Sequence, residues 1–524
     1  MRELRFVMLV MLVVIGCGES APETAPQDES SDTVERSEPE ITSVTTARGF
    51  TQIPQGTTVS LVIRGKKLQH TTSVAIGDSV LSLDSVSARE LHVTVFGFSP
   101  TTLGPLDVSV TSEAGTTVAP GAIERTPIVV SPSAVEGDGT FQSPSRLCDV
   151  ESDTGGPGIF LVLLAGTHRC GRLLQLTAGT TVQGDPSQRT IVRGTDTEGF
   201  GFAIDPAGGP VTTTLRDLTL AAPVAFASIS PSFGVGQVVV ERVVSAGPIS
   251  AIGDAVMTID HYTYDGEGNG IELSVGTITN STIRHCGAGD GITISPLFGF
   301  SNVTIDHVVV KDCARGLVAN TGQVTTTITN SRFTDNRIGM QLLDGLHTIR
   351  DTVIRDDAMT PQASLTGISI NRAEVFATDV KITGQRDAAI SIVQTSSDSH
   401  AASLFGDGLV LVGGRIGIAF IGIDNHLSLR NSTVRDQTEA ALLIQSLDGP
   451  INLGDAFTPG NNALSIVTGF VIDDQREFNR SFDKYIQAVG TTLNGVRFDG
   501  ETVDGPAELA PFYRIISDES GIQF

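Results

Sequence analysis

The chain has 524 residues, and 34 basic against 59 acidic side chains give it a formal net charge of −25. This charge argues against nucleic acid and against an anionic lipid surface as partners, because both would be repelled. Tryptophan is absent, and there are only four tyrosines against 23 phenylalanines. Grooves that process sugars usually present tryptophan or tyrosine faces, so the composition argues against a carbohydrate enzyme.

The N-terminus carries an export signal. Arg2 and Arg5 precede an apolar run, Phe6 to Ile15, that is too short to span a bilayer as a mature helix. The run ends in Val-Ile-Gly-Cys at Cys17, which resembles the bacterial lipobox and implies cleavage before Cys17 and lipid attachment to it. The alternative is an ordinary secretory signal with an incidental cysteine. We therefore expect a lipoprotein signal peptide over residues 1–16 and a lipid anchor in the cell envelope, in the outer membrane.

Residues 17–38 are acidic, rich in Pro, Ser and Thr, and almost free of large apolar side chains, so they predict a disordered tether. From 39 to 128, short alternating strands separated by turn residues predict a small β-sandwich. Pro-x-Ile at Pro39, Gly-Thr-Thr-Val-x-Leu-x-Ile-x-Gly at Gly56 and Gly-x-x-Asp-Val-x-Val at Gly104 together resemble an IPT/TIG immunoglobulin-like domain. Such modules are usually spacers or interaction domains, so the resemblance implies no chemistry there.

Residues 129–446 contain a short repeat in which apolar and polar residues alternate, as strands require. Its units, such as Thr277–Ile283 and Thr327–Phe333, recur every 19 to 28 residues. This period is too short for a βαβ unit and fits one coil of a solenoid. One polar corner position is filled in turn by Asp217, Arg242, His261, Asn280, His307, Asn330, Asp351, Asp379, Asp407 and Asn431.

Most units close with a glycine followed by an apolar residue, as at Gly291-Ile292, Gly316-Leu317 and Gly339-Met340. We expect glycine there because it allows the backbone angles of a tight corner. Stacked coils also predict one inward-facing column, formed by Leu215, Val240, Ile259, Ile278, Ile305, Ile328, Ile349, Ala377, Phe405 and Leu429.

The motif Ile278-x-Asn280-Ser281-x-Ile283-x-x-Cys286 resembles the repeat of right-handed, pectate-lyase-like parallel β-helices. The expected fold class is therefore all-β, with a small immunoglobulin-like β-sandwich followed by a right-handed parallel β-helix solenoid over 129–446. Residues 447–524 are interpreted as the last coils and a C-terminal cap. Because this fold hosts lyases, hydrolases, epimerases, adhesins and inert stalks, it does not identify an activity.

Without Cys17, four cysteines remain, an even number in an exported chain. Cys286 and Cys313 occupy the same position in consecutive coils, which lie about 4.8 Å apart and so within reach of a disulfide. Pairing of Cys148 with Cys170 follows by exclusion. No Cys-x-x-Cys or paired histidine accompanies these thiols, which argues against a metal site.

Residues at one repeat position form rows along a solenoid, and two adjacent rows are charged. The first holds Asp265, Arg284, Lys311, Thr334, Arg355, Thr383, Leu411 and Arg435, and the second holds Gly266, His285, Asp312, Asp335, Asp356, Gly384, Val412 and Asp436. By the lyase resemblance, such rows could hold an anionic glycan, with Lys or Arg as base. The candidate catalytic residues are then Arg284, Lys311, Arg355, Asp312 and Asp356. Alternatively, opposite charges compensate each other on a solvated ridge.

No cofactor is expected, and calcium is the only metal with a candidate. Asp265, Glu267 and Asn269 resemble the first half of a calcium loop, but Gly276 occupies the place of its twelfth-position carboxylate. A glycine-rich corner explains the same residues. Asp290 and Arg315 are the nearest equivalent of the acidic ligands and arginine of pectate lyases, and a structural ion pair between coils is the alternative.

Two functional hypotheses follow. In the first, the protein is anchored to the membrane through its lipid and presents its β-helix for binding or adhesion to a polysaccharide or a surface protein, without catalysis. In the second, it is a polysaccharide lyase or glycoside hydrolase that acts on an acidic glycan. The anchor, the spacer domain and the short coils favour the first hypothesis, whereas the fold resemblance favours the second.

Overall fold

The computed structural model describes residues 37–56, 58–95, 103–134, 137–150, 158–171, 173–177, 179–194, 200–205, 212–221, 225–229, 236–296, 300–320, 322–357, 365–394, 401–446, 449–455, 457–475, 486–497 and 513–515. The predicted signal peptide, Cys17 and nearly all of the predicted tether lie outside the described residues. No helix in the described part of the chain is long and apolar enough to cross a membrane.

Two sheets at the N-terminus pack on a common core that includes Leu61, Ile63, Val74, Leu91 and Val108. The four-stranded sheet has the order Glu40–Thr46, Val59–Lys66, Glu90–Val95 and Leu83–Val86. The five-stranded sheet has the order Gln52–Pro54, Gly115–Thr126, Gly104–Ser112, Thr71–Ile76 and Ser79–Leu81, and a short 3-10 helix spans Leu68–His70.

The rest of the described chain forms a parallel β-solenoid of the right-handed type, with three sheets that run along its length. The first sheet contains Ile128–Val130, Phe160–Leu163, Thr181–Gln183, Phe300–Asp306, Gln323–Thr329, Gly345–Arg350, Ala373–Thr378, Ser403–Asp407, His426–Arg430, Ile451–Asn452 and Ile486–Gln487. The second contains Gly166–Arg169, Thr190–Arg193, Thr263–Asp265, Thr282–Arg284, Val309–Lys311, Arg332–Thr334, Val353–Arg355, Lys381–Thr383, Val410–Val412, Thr433–Gln437, Ala463–Ile466 and Thr492–Leu493.

The third sheet contains Leu173–Thr177, Phe200–Asp205, Ala225–Ile229, Asp290–Ile294, Arg315–Ala319, Ile338–Leu342, Thr366–Ile370, Ala388–Val393, Ile416–Gly422, Ala440–Ser446, Phe470–Asp474 and Tyr513–Ile515. Four longer strands each contribute to two sheets: Thr212–Ala221, Gln237–Ser245, Ile249–Asp260 and Ile271–Thr279. A 3-10 helix at Leu147–Asp149 precedes the first complete coil, and Val496–Arg497 closes a hairpin with Thr492–Leu493.

The predicted inward column is confirmed over most of its length. Each predicted residue from Leu215 to Ala377 pairs with the next one and is at most 1% exposed. The prediction is wrong at Phe405, because Gly406 pairs with both Ala377 and Leu429. Phe405 therefore points outward, where its ring stacks on Phe376 with centroids 4.8 Å apart.

This error has a local cause. The corner residue of that coil is Gly408, with φ 68°, and not Asp407. A slip of one residue moves every side chain of a strand to the opposite face. For the same reason Val412, and not Leu411, pairs with Thr383 in the first charged row.

In the coils between Ile249 and Gln437, the corner from the first to the second sheet takes two residues, and their types explain the repeated Asn-Ser. Asn280 adopts φ 47°, and the other predicted corner residues apart from Asp407 have φ between 47° and 58°. Asn and Asp tolerate this left-handed conformation better than most residues. Ser281 then donates to Thr279 O at 2.6 Å and accepts from Tyr262 N of the preceding coil at 3.1 Å. The serine thus satisfies backbone groups that the corner would otherwise leave unpaired.

The glycines that open the third sheet are explained by close packing, not by the backbone angles we expected. None of Gly270, Gly291, Gly316, Gly339 and Gly367 lies in the left-handed region. A Cβ added to Gly316 would lie 2.5 Å from the carbonyl oxygen of Gly339 in the next coil. The coils therefore approach so closely at this column that only a residue without a side chain fits.

Both predicted disulfides are present. Cys286 and Cys313 join consecutive coils with their Cα atoms 4.6 Å apart, and Cys148 and Cys170 are joined with Cα atoms 5.4 Å apart. Such bonds form and persist in oxidising compartments, which is the environment of an exported protein.

Candidate functional site

The two charged rows lie at the ends of the second-sheet strands, and we call the residues that carry their charges the charged ridge. Pairing places Asp265 beside Arg284, Arg284 beside Lys311, and Thr334 between Lys311 and Arg355. The ridge also includes His285, Asp312, Asp335, Asp356 and Asp357, which follow in the corners. Residues that the sequence predicts to lie side by side in these rows, from Asp265 to Arg355, are therefore neighbours in the structure.

Arg284 is held by a carboxylate of the preceding coil. Its Nε and Nη2 atoms lie 3.0 and 2.7 Å from Asp265 Oδ2. The other oxygen of Asp265 lies 2.7 Å from His285 Nδ1. The hydrogen bond from His285 is the largest influence on Asp265 and lowers its pKa. Burial opposes this shift, and the hydrogen bond and charge of Arg284 lower the pKa further. Arg284 and Asp265 therefore neutralise each other.

Lys311 and Arg355 also have carboxylate partners. Lys311 Nζ lies 3.5 Å from Asp335 Oδ2 and 3.7 Å from Asp312 Oδ2. Arg355 Nη2 contacts Asp357 Oδ2. The amide of Asp356 donates to Thr383 O in the next coil at 3.0 Å. Each of the three candidate bases is therefore a paired cation, whereas a general base must be able to lose its proton.

Two of the three calcium candidates are engaged in bonds within the protein. Asp265 belongs to the ion pair with Arg284, and Asn269 Oδ1 accepts the amide of Asp290 at 3.0 Å. Glu267 is exposed on the same corner. No group of three or more His, Cys, Asp or Glu side chains in the described ranges could hold a metal ion.

Asp290 and Arg315 form the structural ion pair that was the alternative to a lyase-like site. Arg315 donates from Nε to Asp290 Oδ1 and from Nη2 to Oδ2, both at 2.7 Å. A third donor, Nη1, lies 2.8 Å from Gln341 Oε1 in the following coil. The guanidinium thus joins three consecutive strands of the third sheet, and this bidentate geometry is the strong form of an arginine–carboxylate pair.

Two carboxylates at the corner between the first and second sheets hold identical clusters that sequence reasoning missed. Asp260 lies 2.7 Å from Thr279 Oγ1, 2.9 Å from Asn280 Nδ2 and 2.7 Å from His261 Nδ1. Asp306, two coils further, has the same bonds with Thr329, Asn330 and His307. Burial alone would raise the pKa of Asp260, but its three hydrogen bonds lower it to about 2. The bonds to Asp306 lower its pKa to about 2 as well. In the sequence, coils with Asp-His at this corner alternate with coils that have Thr-Asn-Ser there. This alternation could have predicted the clusters.

The outer face of the first sheet carries a row of threonines, which we call the threonine stripe. Pairing aligns its members in five consecutive coils: Thr258, Thr277, Thr304, Thr327 and Thr348. All five are exposed or half-buried, and their hydroxyl groups form no hydrogen bond with any described residue. Four steps of about 4.8 Å give the stripe a length of about 19 Å.

The threonine stripe continues into two phenylalanines. Thr348 pairs with Phe376, and Phe376 pairs with Phe405. Phe376 is 39% exposed, and Leu346 beside it is 40% exposed. His426 packs edge-on against Phe405 with ring centroids 4.8 Å apart. A polar section and an apolar section thus form one straight line on the surface.

No model of a known protein family matches this sequence. A segment of 55 residues is 47% identical to the probable pectate lyase 6 of Arabidopsis thaliana and covers 10% of this chain and 11% of that protein. The chain therefore spans about a tenth of the length of the curated relative that it matches.

Three solved structures are similar to the chain at low identity. The catalytic unit of the GH87 α-1,3-glucanase from Streptomyces thermodiastaticus strain HF3-3 is 13% identical, with a TM-score of 0.36 over 89% of this chain and 92% of that chain. PfbA, a surface adhesin of Streptococcus pneumoniae, is 12% identical, with a TM-score of 0.37 over 75% and 100%. A family 28 exopolygalacturonase of Yersinia enterocolitica is 10% identical, with a TM-score of 0.28 over 92% and 97%. These values assign no activity to the chain.

Proposed function

We propose that this protein is a lipid-anchored component of the cell envelope that presents its solenoid for binding or adhesion, with a polysaccharide as the favoured ligand, and that it does not catalyse a reaction. The observation that carries the proposal is the pairing of Arg284, Lys311 and Arg355 with carboxylates. A side chain that is engaged in this way is bonded within the protein and is not free to approach a substrate proton.

The ridge also disfavours the acidic glycan that a lyase would need. Each of its cations is matched by an acidic neighbour, and the whole chain carries a net charge of −25. An anionic polymer would meet little uncompensated positive charge on this surface. A neutral polysaccharide meets no such electrostatic penalty.

The second candidate function is that of a polysaccharide lyase or glycoside hydrolase. It is favoured by the 55-residue match to a probable pectate lyase and by the closeness of Arg284, Lys311 and Asp312. In this case one of the ridge cations acts as the base that removes a proton from the substrate, or an acidic residue of the ridge protonates the leaving group.

The experiment that separates the two functions uses the purified full chain and a panel of neutral and acidic polysaccharides. Co-sedimentation measures binding, and assays for reducing ends and for unsaturated sugars measure cleavage. We expect binding without product. Product that disappears in Lys311→Ala or Arg355→Ala, and persists in the control Arg89→Ala on the N-terminal sandwich, would overturn the proposal.

The lipid anchor is tested separately, because Cys17 lies outside the described residues. We expect the wild-type chain to sediment with the membrane fraction after expression in a bacterium. Cys17→Ser should remain uncleaved or appear in the soluble fraction, and it should not incorporate a labelled fatty acid. Unchanged labelling of Cys17→Ser would show that the anchor is elsewhere.

A further inference from the structure

We propose that the threonine stripe, together with Phe376 and Phe405, is the surface on which an extended neutral polysaccharide lies along the solenoid axis. This inference rests on the proposed binding function and assigns it a place and a class of ligand. It differs from the charged ridge in position, since the stripe lies on the outer face of the first sheet.

The free hydroxyl groups are the first reason. Each threonine hydroxyl can donate one hydrogen bond and accept others, and those of the stripe have no partner among the described residues. They recur at the strand spacing of about 4.8 Å in a straight line. The pairing from Thr277 to Thr348 shows no register shift, so the face is regular. A sugar polymer laid along this line would meet a hydroxyl group at every coil.

The repetition of threonine is more than a consequence of strand propensity. Threonine, valine and isoleucine all favour strands, so propensity alone would give a mixture. The equivalent outward row of the second sheet is such a mixture, with Thr263, Thr282, Val309, Arg332 and Val353 in consecutive coils. On the outer face of the first sheet, in contrast, the same position is threonine in five successive coils.

The apolar end of the line is the second reason. Phe376 and Leu346 expose 39% and 40% of their surfaces, although their paired residues in the preceding coil, Thr348 and Thr325, are polar. Grouped exposed apolar side chains on a soluble surface usually mark a place of contact. The C–H faces of sugar rings can pack against them, while the methyl groups of the stripe extend the same kind of contact.

The negative charges beside the stripe favour a neutral polysaccharide over an acidic one. Asp260 and Asp306 flank the stripe, and hydrogen bonds keep both carboxylates ionised at all ordinary pH values, with pKa values of about 2. They would repel a uronic acid polymer. These two carboxylates belong to a row that runs beside the stripe through the same five coils. Arg350 is the only arginine or lysine in that row.

The test compares two double variants of the full chain in a co-sedimentation assay with cellulose, with an insoluble β-1,3-glucan and with polygalacturonate. Thr304→Val/Thr327→Val removes two adjacent hydroxyls of the stripe and keeps their shape and strand propensity. Thr263→Val/Thr282→Val makes the same change on the second sheet. Thermal denaturation followed by circular dichroism confirms that both variants are folded.

We expect wild type to bind at least one neutral glucan, the stripe variant to bind it about tenfold more weakly, and the control variant to match wild type. Phe376→Ser should also weaken binding. If wild type binds a neutral glucan and the stripe variants bind it equally well, the inference fails and the proposed function stands. Binding of polygalacturonate alone would likewise overturn only the inference. Binding of none of the three polymers overturns the inference and removes the support for a polysaccharide ligand.

Discussion

His347 is a fully buried histidine whose protonation should destabilise the solenoid. Its Nε2 donates to Asp344 O at 2.7 Å, and its Nδ1 lies 2.8 Å from Thr326 Oγ1. Burial lowers the pKa of His347 to about 4, although the bond to Asp344 opposes the shift. In the unfolded chain the pKa is about 6.5. The unfolded state therefore binds the proton more tightly, so the free energy of unfolding is highest above pH 6.5 and falls as the pH drops toward 4. The total loss is about 3 kcal/mol.

The assay is urea denaturation of wild type and of His347→Gln at about pH 8 and about pH 5, followed by circular dichroism. Between these two values, wild type should lose about 2 kcal/mol more than the variant, because the variant has no titrating group at this position. His168 is also buried with a lowered pKa, but its contribution is common to both proteins and cancels. An equal pH dependence of the two proteins would refute the reasoning.

Three further predictions concern the stacking of coils. Gly316→Ala should cost about 1–3 kcal/mol by crowding the next coil, and thermal denaturation measures this; an unchanged melting temperature would contradict the packing explanation. Cys286→Ala/Cys313→Ala opens a loop with a sequence separation of 27 and should lower the free energy of unfolding by about 3.5 kcal/mol in chemical denaturation. A loss below about 1 kcal/mol would argue against loop entropy as the source of the stabilisation. Arg315→Ala should cost about 1–2 kcal/mol by leaving Asp290 without its bidentate partner, and Arg315→Lys less; equal losses would argue against the bidentate geometry.

The solenoid fold could be predicted from the sequence because the same few structural features recur in each coil. Inward apolar residues, a corner residue that tolerates positive φ and a serine that binds backbone groups recur together, so many weak signals agree. The prediction of the inward column was wrong in the one coil that departs from this pattern. Gly408 replaces the usual Asn, Asp or His at the corner, and the preceding Asp407 resembles that residue closely enough to shift the alignment. Only the buried pairing of Gly406 reveals the correct face.

The explanation for the glycine column also needed three dimensions. In a sequence, a glycine before a strand indicates a turn, because freedom of the backbone is its usual advantage. The space available to a Cβ depends on the neighbouring coil, which is 21 to 28 residues away in the glycine column. Gly316 illustrates this, since the atoms that exclude a side chain belong to Gly339 and Phe333.

The candidate sites were predicted unevenly. Charged residues stand out in a sequence, so the ridge from Asp265 to Arg355 was found and its register was correct. Threonine does not stand out, because it is a common strand residue. What distinguishes Thr304 and Thr327 is that their hydroxyls are free while those of Thr279 and Thr329 bind carboxylates, and a sequence does not show which is which.

The constant length of the corner between the first and second sheets limits where residues can be inserted in this protein. In the coils between Ile249 and Gln437, two residues join a first-sheet strand to the next second-sheet strand, as between Thr279 and Thr282 or between Thr329 and Arg332. In contrast, the connection from the third sheet to the first varies from none, where the single strand Ile271–Thr279 belongs to both sheets, to nine residues, between Val393 and Ser403. Insertions gained in evolution, or peptides grafted by an engineer, are therefore tolerated at the variable corner. One added residue at the constant corner would instead move the side chains of the following strand to the opposite face of the sheet.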